Sequence, residues 1–415
     1  MKIKAVQGTQ DILAKDSYKW QFVESRIRDF MKRYNYNEVR TPIFERTELF
    51  SRGIGEMTDI VSKEMYTFQD SGDRMLTLRP ENTASICRTT IENNLMREIP
   101  QNKMYYIGPM FRRERPQKGR YRQFHQFGIE ALGARSAELD AECIIFAYEF
   151  YKSFKLKNIQ IKVNSVGNVA SRDAYKDALR AFVLPQIDSY CDDCKTRIEG
   201  NPLRVLDCKK DAEKNTQAPK LYDSLDAESK QFFDRVIELL DANEIPYEID
   251  ANLVRGLDYY TDTVFEITSS DLGSQSALCG GGRYDLLLEE LGGKPTPAVG
   301  FAGGIERLML SLEANGFDFG ERRLDFFIAT MDDASKLYAS KLVRNLRSEG
   351  FKVETEYLNR SIKAQMKYAN KLHARYAVVI GEEEIKTGVA KIKFMDDGKE
   401  EEIHISDLNF DSLDE

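Results

Sequence analysis

The sequence predicts an α+β fold: an antiparallel sheet flanked by helices, interrupted by a helical insertion and followed by a smaller α/β domain. Three observations carry this reading. The strand-like segments EMYTFQD, RMLTLRP, KMYYIGPMFRRE and RQFHQFGIEALG succeed one another with only one helical segment, NTASICRTTIENNL, among them, and strands joined without a helix each time favour antiparallel pairing. Residues 168–245 turn polar and mostly helical before strand-like segments resume, which marks an insertion. From residue 324 strand and helix alternate over about 90 residues, the pattern of a separate α/β domain.

SYKWQFVESRIRDFMKRY, from Ser17, brings Trp20, Val23, Ile27, Phe30 and Met31 to one helical face. NEVRTPIFERTELF follows as a strand broken at Pro42, which cannot donate to a ladder and so suggests an edge, a bend or an interface, with a loop proline as the plain alternative. SAELDAECIIFAYEFYKSF reads as a helix, and IQIKVNSVG, YEIDANLVRG, YTDTVFEIT and CGGGRYD as strands. A helix over Gly304 to Asn315, with Ile305, Leu308, Met309 and Leu312 on one face, closes the first part. The domains expected are therefore 1–167 with 246–320, the insertion 168–245, and 324–415. Within the last, residues 341–375 hold nine lysines and arginines against three glutamates, whereas 376–415 hold four lysines against twelve acids. Such a basic stretch is a solvated helical face or a surface for nucleic acid.

With 415 residues, 42% hydrophobic and 31% charged, the chain is long enough for more than one core. Its first residues, MKIKAVQGTQDI, lack the apolar region of a signal peptide, and no apolar run approaches the roughly 18 residues of a spanning helix. A cytoplasmic protein is expected. Six scattered cysteines do not make a disulfide scaffold, so reduced thiols are expected. A net charge of −8 argues against wholesale nonspecific nucleic-acid binding, but local basic stretches matter more to a polyanion. Cys191, Cys194 and Cys208 form a CxxC with a third cysteine; zinc wants four ligands, and only an acid such as Asp192 or Asp207 could complete the set, so no metal is expected.

The densest chemistry lies in FRRERPQKGRYRQFHQFGIE, residues 111–130. Six basic residues and one acid, Glu114, fall between Arg112 and Arg122, around a turn marked by Pro116 and Gly119. Guanidinium groups on strands suit bidentate contact with phosphate, and Phe124 offers a flat face to a base, so an adenine nucleotide would use both. A second cluster is RGLDYY, from Arg255 to Tyr260. In a strand its two tyrosines would point to opposite faces, so only one belongs in an ordinary core.

FRRE with RYRQF resembles the second signature of class II aminoacyl-tRNA synthetases, GFAGGIERLML resembles their third, and Pro42 resembles the dimer-interface proline of their first. LVRGLDYYT and CGGGRYD resemble the pair peculiar to the histidyl-tRNA synthetase family. LRPENTAS resembles the family's amino-acid-binding loop, with Asn82 where a glycine is more usual. The resemblance spans essentially the whole chain, and its motifs are specific together rather than singly. It implies a class II synthetase-like catalytic core with an anticodon-binding domain, in a homodimer that uses ATP with Mg2+, L-histidine and tRNA(His).

By the same resemblance Arg112 would hold the α-phosphate and Arg307 the γ-phosphate, with Arg120 on the phosphate side. Glu114 would meet the adenine edge and Phe124 stack on its ring. Arg255 would approach the α-phosphate and the histidine carboxylate; an ion pair with Asp258 is the structural alternative. Glu130 and Tyr260 would contact the imidazole, with Tyr259 contributing to that pocket, while Glu81, Thr83 and Gln126 would hold the α-ammonium. Gly280 to Gly282 would allow close backbone approach to the pocket floor; Tyr259 as ordinary core and these glycines as a simple tight turn are the plain alternatives. Strand alternation turns His125 away from this group. Two other functions share parts of the pattern: a noncatalytic regulatory partner of the histidine-biosynthetic ATP phosphoribosyltransferase, and a synthetase for glycine, threonine or proline.

Overall fold

The computed structural model describes residues 3–408 except 56, 57, 207 and 209, with backbone only for 273–275. Two compact units divide the chain, Met1–Asp318 and Phe319–Glu415. The first holds strands β1 (Asn37–Glu38), β2 (Phe44–Arg46), β3 (Tyr66–Gln69), β4 (Met75–Leu78), β5 (Asn102–Phe111), β6 (Gln123–Leu132), β7 (Ile159–Ser165), β8 (Glu248–Ile249), β9 (Thr261–Ser269), β10 (Ala277–Arg283) and β11 (Ala298–Gly304). Eight of them form one sheet in the order β1-β5-β6-β11-β10-β9-β7-β8. The inner pairings are antiparallel, and only the short edge strands β1 and β8 pair in parallel. Strands β2, β4 and β3 make a small second sheet.

One face of the large sheet is closed by the helix Ala137–Lys152, which starts where Ser136 Oγ accepts the Leu139 amide. Its Phe146 and Phe150 meet Phe127, Phe301 and Phe30 in tilted and edge-on contacts. Phe127, Phe146 and Phe150 are wholly buried. Period-two alternation then sends the opposite side chains of β6, Phe124, Gln126 and Glu130, to the other face, over which the helix Thr83–Glu92 begins.

The insertion contains the helices Val169–Val183, Asp192–Gly200 and Ala227–Ala242, one apolar cluster of its own around Cys194, and a second that it shares with Val166, Leu253, Val254 and Val264 outside it. The second unit has β12 (Leu324–Thr330), β13 (Val353–Thr355), β14 (Ala374–Ile380), β15 (Val389–Phe394) and β16 (Glu400–His404), ordered β13-β12-β14-β15-β16. Its first three strands are parallel, as the alternation with the helices Asp333–Ser348 and Ile362–Lys371 requires, and the last two are added antiparallel. A further short helix, Glu382–Thr387, is not signalled by the strand-helix pattern.

Two sequence readings are corrected. NEVRTPIFERTELF is not one strand: after β1 and β2 the chain enters the helix Thr47–Ile54, because Leu49, Phe50, Gly53 and Ile54 recur at helical spacing and are buried together. YEIDANLVRG keeps only Glu248–Ile249 as strand, and residues 251–260 form turns and irregular backbone.

Candidate active site

Above the open face of the sheet lies a cavity of about 190 Å³. Arg112, Glu114, Arg120, Phe124 and Arg307 line it, together with Glu81, Thr83, Gln126, Glu130, Arg255, Tyr259 and Tyr260. All twelve pocket residues expected from sequence thus face one space. Arg112 is anchored through Nε to the Pro80 carbonyl at 2.9 Å and lies over the Phe124 ring, 5.3 Å from its centroid. Arg120 pairs with Glu114 at 2.8 Å. Arg307 donates through Nε to the Gly119 carbonyl at 3.3 Å and through a terminal nitrogen to that of Ala277 at 2.8 Å. Burial, with the Arg120 cation adding to it, holds the Arg307 guanidinium below the usual arginine range. Cations crowded in this way are eased by a polyanion.

The other end of the cavity is carboxylate chemistry in a dry setting. Glu81 Oε2 accepts the Thr83 amide at 2.6 Å and its Oε1 the Ala84 amide at 3.1 Å, at the start of the helix Thr83–Glu92. Glu130 is 1% exposed. Thr83 Oγ1 donates to its Oε1 at 2.7 Å, and the Tyr284 hydroxyl donates to its Oε2. Burial pushes the Glu130 carboxyl up to about 8, although both hydroxyls work against the rise. Gln126 Oε1 is a buried acceptor without a protein partner among the described residues.

Arg255, Tyr259 and Tyr260 reach the cavity because their segment is a turn rather than a strand. Strand alternation therefore does not apply, and the two rings sit side by side, centroids 4.7 Å apart. Three side chains of the insertion brace this turn. Arg172 donates to the Tyr260 carbonyl at 2.6 Å, Arg204 to the Gly256 carbonyl at 2.8 Å, and Asn201 Nδ2 to Asp258 Oδ1 at 2.7 Å. Asp258 thus ties the turn to the insertion, and the ion partner of Arg255 is Glu266, at 2.5 Å, instead of Asp258.

The sheet register explains two glycines. Gly280 stands opposite Glu266, and a Cβ there would collide with the Arg255 guanidinium; Gly300 stands opposite Glu130, and a Cβ there would collide with that carboxylate. Asn82 needs no left-handed backbone: its φ is −122°, and its Oδ1 accepts from Thr41 Oγ1 at 2.6 Å and from Arg79 at 3.3 Å. His125 does face away, with Nδ1 2.9 Å from Glu306 Oε1 and its ring 5.1 Å from that of Trp20.

Pro42 lies elsewhere, on a groove shared with Glu45, Leu49, Arg52 and Ile91. Asp192 does not join the three thiols of the insertion, and Asp207 lies outside the described residues. Sequence reasoning missed Tyr106, Tyr121, Tyr284 and Glu306 as lining residues. Tyr106, in contrast to Tyr284 inside CGGGRYD, lies in the unbroken apolar run Met104–Ile107 of β5 and carries no local signal.

An antiparallel platform with arginines on one hairpin and on the helix after β11, facing one polar cavity, is the catalytic architecture of a class II aminoacyl-tRNA synthetase. Residues 8–308 match the family model described as histidyl-tRNA synthetase, and residues 325–409 match an anticodon binding domain. A histidine–tRNA ligase of Staphylococcus carnosus is 50% identical over 413 residues, covering 98% of this chain and 96% of that protein. One of Bacillus cytotoxicus is 50% identical over 409 residues, covering 97% of each. The crystal structure of apo S. aureus histidyl-tRNA synthetase superposes with a TM-score of 0.84 at 44% identity, covering 98% of both chains. This chain belongs to the histidyl-tRNA synthetase family. A structure from Bacillus halodurans described as an ATP phosphoribosyltransferase regulatory subunit/histidyl-tRNA synthetase shares the fold, with a TM-score of 0.66 at 22% identity, covering 89% of this chain and 97% of that one.

Proposed function

We propose that the arginine-lined part of the cavity binds ATP and that its Glu130 end binds L-histidine. The chain joins them into histidyl-adenylate and pyrophosphate, then passes histidine to the 3′-terminal adenosine of tRNA(His). Histidine–tRNA ligation is the activity of its family. The observation that carries the site assignment is the meeting of Arg112, Arg120, Arg255 and Arg307 with the buried carboxylate of Glu130 in one cavity.

The first step brings a carboxylate onto an anionic phosphoryl centre, so positioning and fixed positive charge do the catalysis and no protein nucleophile is needed. Arg112 holds the α-phosphate, Arg307 the γ-phosphate and Arg120 the phosphate side, while Phe124 stacks on adenine and Glu114 meets its edge. Arg255 draws the histidine carboxylate and the α-phosphate together. Glu130 and Tyr260 read the imidazole; Tyr260 keeps its proton because burial raises it. Tyr259 completes that pocket. Glu81, Thr83 and Gln126 hold the α-ammonium, which supplies the donor that Gln126 Oε1 lacks.

Magnesium would enter with ATP as part of the substrate and would offset charge on its phosphates. The cavity's own carboxylates are engaged: Glu114 with Arg120, Glu81 with two amides, Glu130 with two hydroxyls and Glu306 with His125. The second unit takes the anticodon arm. Supporting this are the exposed Lys363, Lys367 and Lys371 and a 68% exposed Tyr357 available for base stacking. A homodimer through the Pro42 face fits the exposure of Ile43 and Phe44 beside it, at 43% and 53%; sedimentation without tRNA should give twice the chain mass. No helix of the described residues is long and apolar enough to cross a membrane, and a cytoplasmic location suits an enzyme using ATP and tRNA.

The deciding experiment is aminoacylation of tRNA with each amino acid, together with exchange of labelled pyrophosphate into ATP. Charging by histidine alone, with histidine-dependent exchange, is expected. Charging by glycine, threonine or proline would refute the substrate, and absent exchange would favour a regulatory subunit. Gly280→Ala should lower exchange by about 10-fold or more by displacing Arg255. Its melting temperature should move little, since the colliding atoms are the tip of a flexible side chain; a large fall in melting temperature would mean that the glycine serves packing instead.

A further inference from the structure

The thiol cluster of the insertion has a fourth ligand that sequence spacing did not single out. Ligand atoms of Cys191, Cys194, Cys208 and Asp211 all lie within 4.8 Å of one another. We propose that these four residues form a structural zinc site, against the sequence expectation of no metal.

Bonds of about 2.3 Å to sulfur and about 2.0 Å to oxygen in a tetrahedral zinc site set neighbouring sulfurs about 3.8 Å apart and sulfur and oxygen about 3.5 Å apart. Cys191 Sγ and Cys208 Sγ are 3.6 Å apart, and Cys208 Sγ is 3.6 Å from Asp211 Oδ2. A disulfide needs about 2.05 Å between sulfurs and would leave the third thiol unpaired; all three cysteines are free thiols. Three thiolates and a carboxylate suit a borderline-soft cation without redox chemistry.

Outer contacts are already in place. Lys214 Nζ donates to Asp211 Oδ1 at 2.8 Å, leaving Oδ2 turned to the thiols, and the Cys191 amide donates to that Oδ2 at 3.1 Å. The ammonium of Lys214 offsets part of the excess negative charge of the filled site. Cys191 caps the helix Asp192–Gly200, while Cys208 and Asp211 follow the next turn, so the ion would staple a small apolar cluster. Asn201 and Arg204, which brace the Arg255 turn, lie in sequence between the Cys191–Cys194 and Cys208–Asp211 halves of this staple. On binding, the three thiols release their protons to solvent and the carboxylate enters ionised; nothing is oxidised or reduced.

The test is metal analysis of the full chain purified with reductant and without a histidine tag after growth with zinc. About one zinc per chain is expected. Cobalt(II) added to the zinc-stripped protein should give an intense thiolate-to-cobalt band and tetrahedral ligand-field bands. Cys208→Ser and Asp211→Asn should each retain zinc at least about 10-fold less well against a competing chelator. Should the variants fail to fold, the zinc content and cobalt spectrum of the unaltered chain decide. Fewer than about one zinc per ten chains together with no thiolate–cobalt band, a Cys191–Cys208 disulfide by mass spectrometry, or full retention in Asp211→Asn would overturn the site.

Discussion

Arg255→Ala is expected to lower histidine-dependent pyrophosphate exchange by about 1,000-fold while tRNA affinity stays within about twofold. The guanidinium keeps its charge at any working pH and aims that charge into the cavity, where a carboxylate and a phosphoryl group must approach despite their mutual repulsion. Removing a fixed charge that acts on the reacting centre costs the chemical step. It should leave the anticodon-side contacts untouched. A purely structural role is the rival, because Arg255 pairs with Glu266 at 2.5 Å. Glu266→Gln separates the two: it breaks the ion pair and keeps the arginine. Exchange within about 10-fold of the unaltered chain is expected for Glu266→Gln. Equal damage from both variants, or a larger loss of tRNA binding than of exchange in Arg255→Ala, would remove the proposed role.

Glu130→Gln should reduce kcat/KM for histidine activation by about 100-fold without destabilising the fold. Burial pushes the Glu130 carboxyl up to about 8, against 4.5 for a free glutamate, so the folded chain holds this proton more tightly than the unfolded chain. Its contribution to stability is complete below pH 4.5 and is lost as pH rises towards 8. Glutamine carries no such proton, so the variant should gain melting temperature relative to the unaltered chain between pH 6 and pH 9. Binding runs the other way. If the imidazole N–H donates to the carboxylate form, histidine affinity of the unaltered chain should rise about fivefold from pH 7 to pH 8, and Glu130→Gln should show no such rise. Calorimetric titration checks this; an affinity of the unaltered chain that falls to about half over the same interval would mean that the protonated acid, not the carboxylate, meets the imidazole.

Local sequence made much of the site readable. The alternation through β6 places Phe124, Gln126 and Glu130 on one face and His125 on the other, because strand geometry has a period of two whatever surrounds it. The helix after β11 and the strand-helix alternation beyond residue 324 were readable for the same reason. The turn from Arg255 to Tyr260 was not. Its apolar Leu253 and Val254 imitate a strand, while Arg172, Asn201 and Arg204, distant in sequence, hold the backbone out of one.

Charge and period are local properties, and by themselves they determined an α+β core, its clustered arginines and acids and its separate α/β domain, while the resemblance of its motifs supplied the synthetase reading. Tertiary structure alone decided that both tyrosines enter one pocket, that Glu266 rather than Asp258 partners Arg255, that Gly280 and Gly300 make room for Arg255 and Glu130, and that Asp211 joins three thiols. Each of these depends on which segments meet in space. Strand register and a helical insertion set such meetings, and no local pattern encodes them.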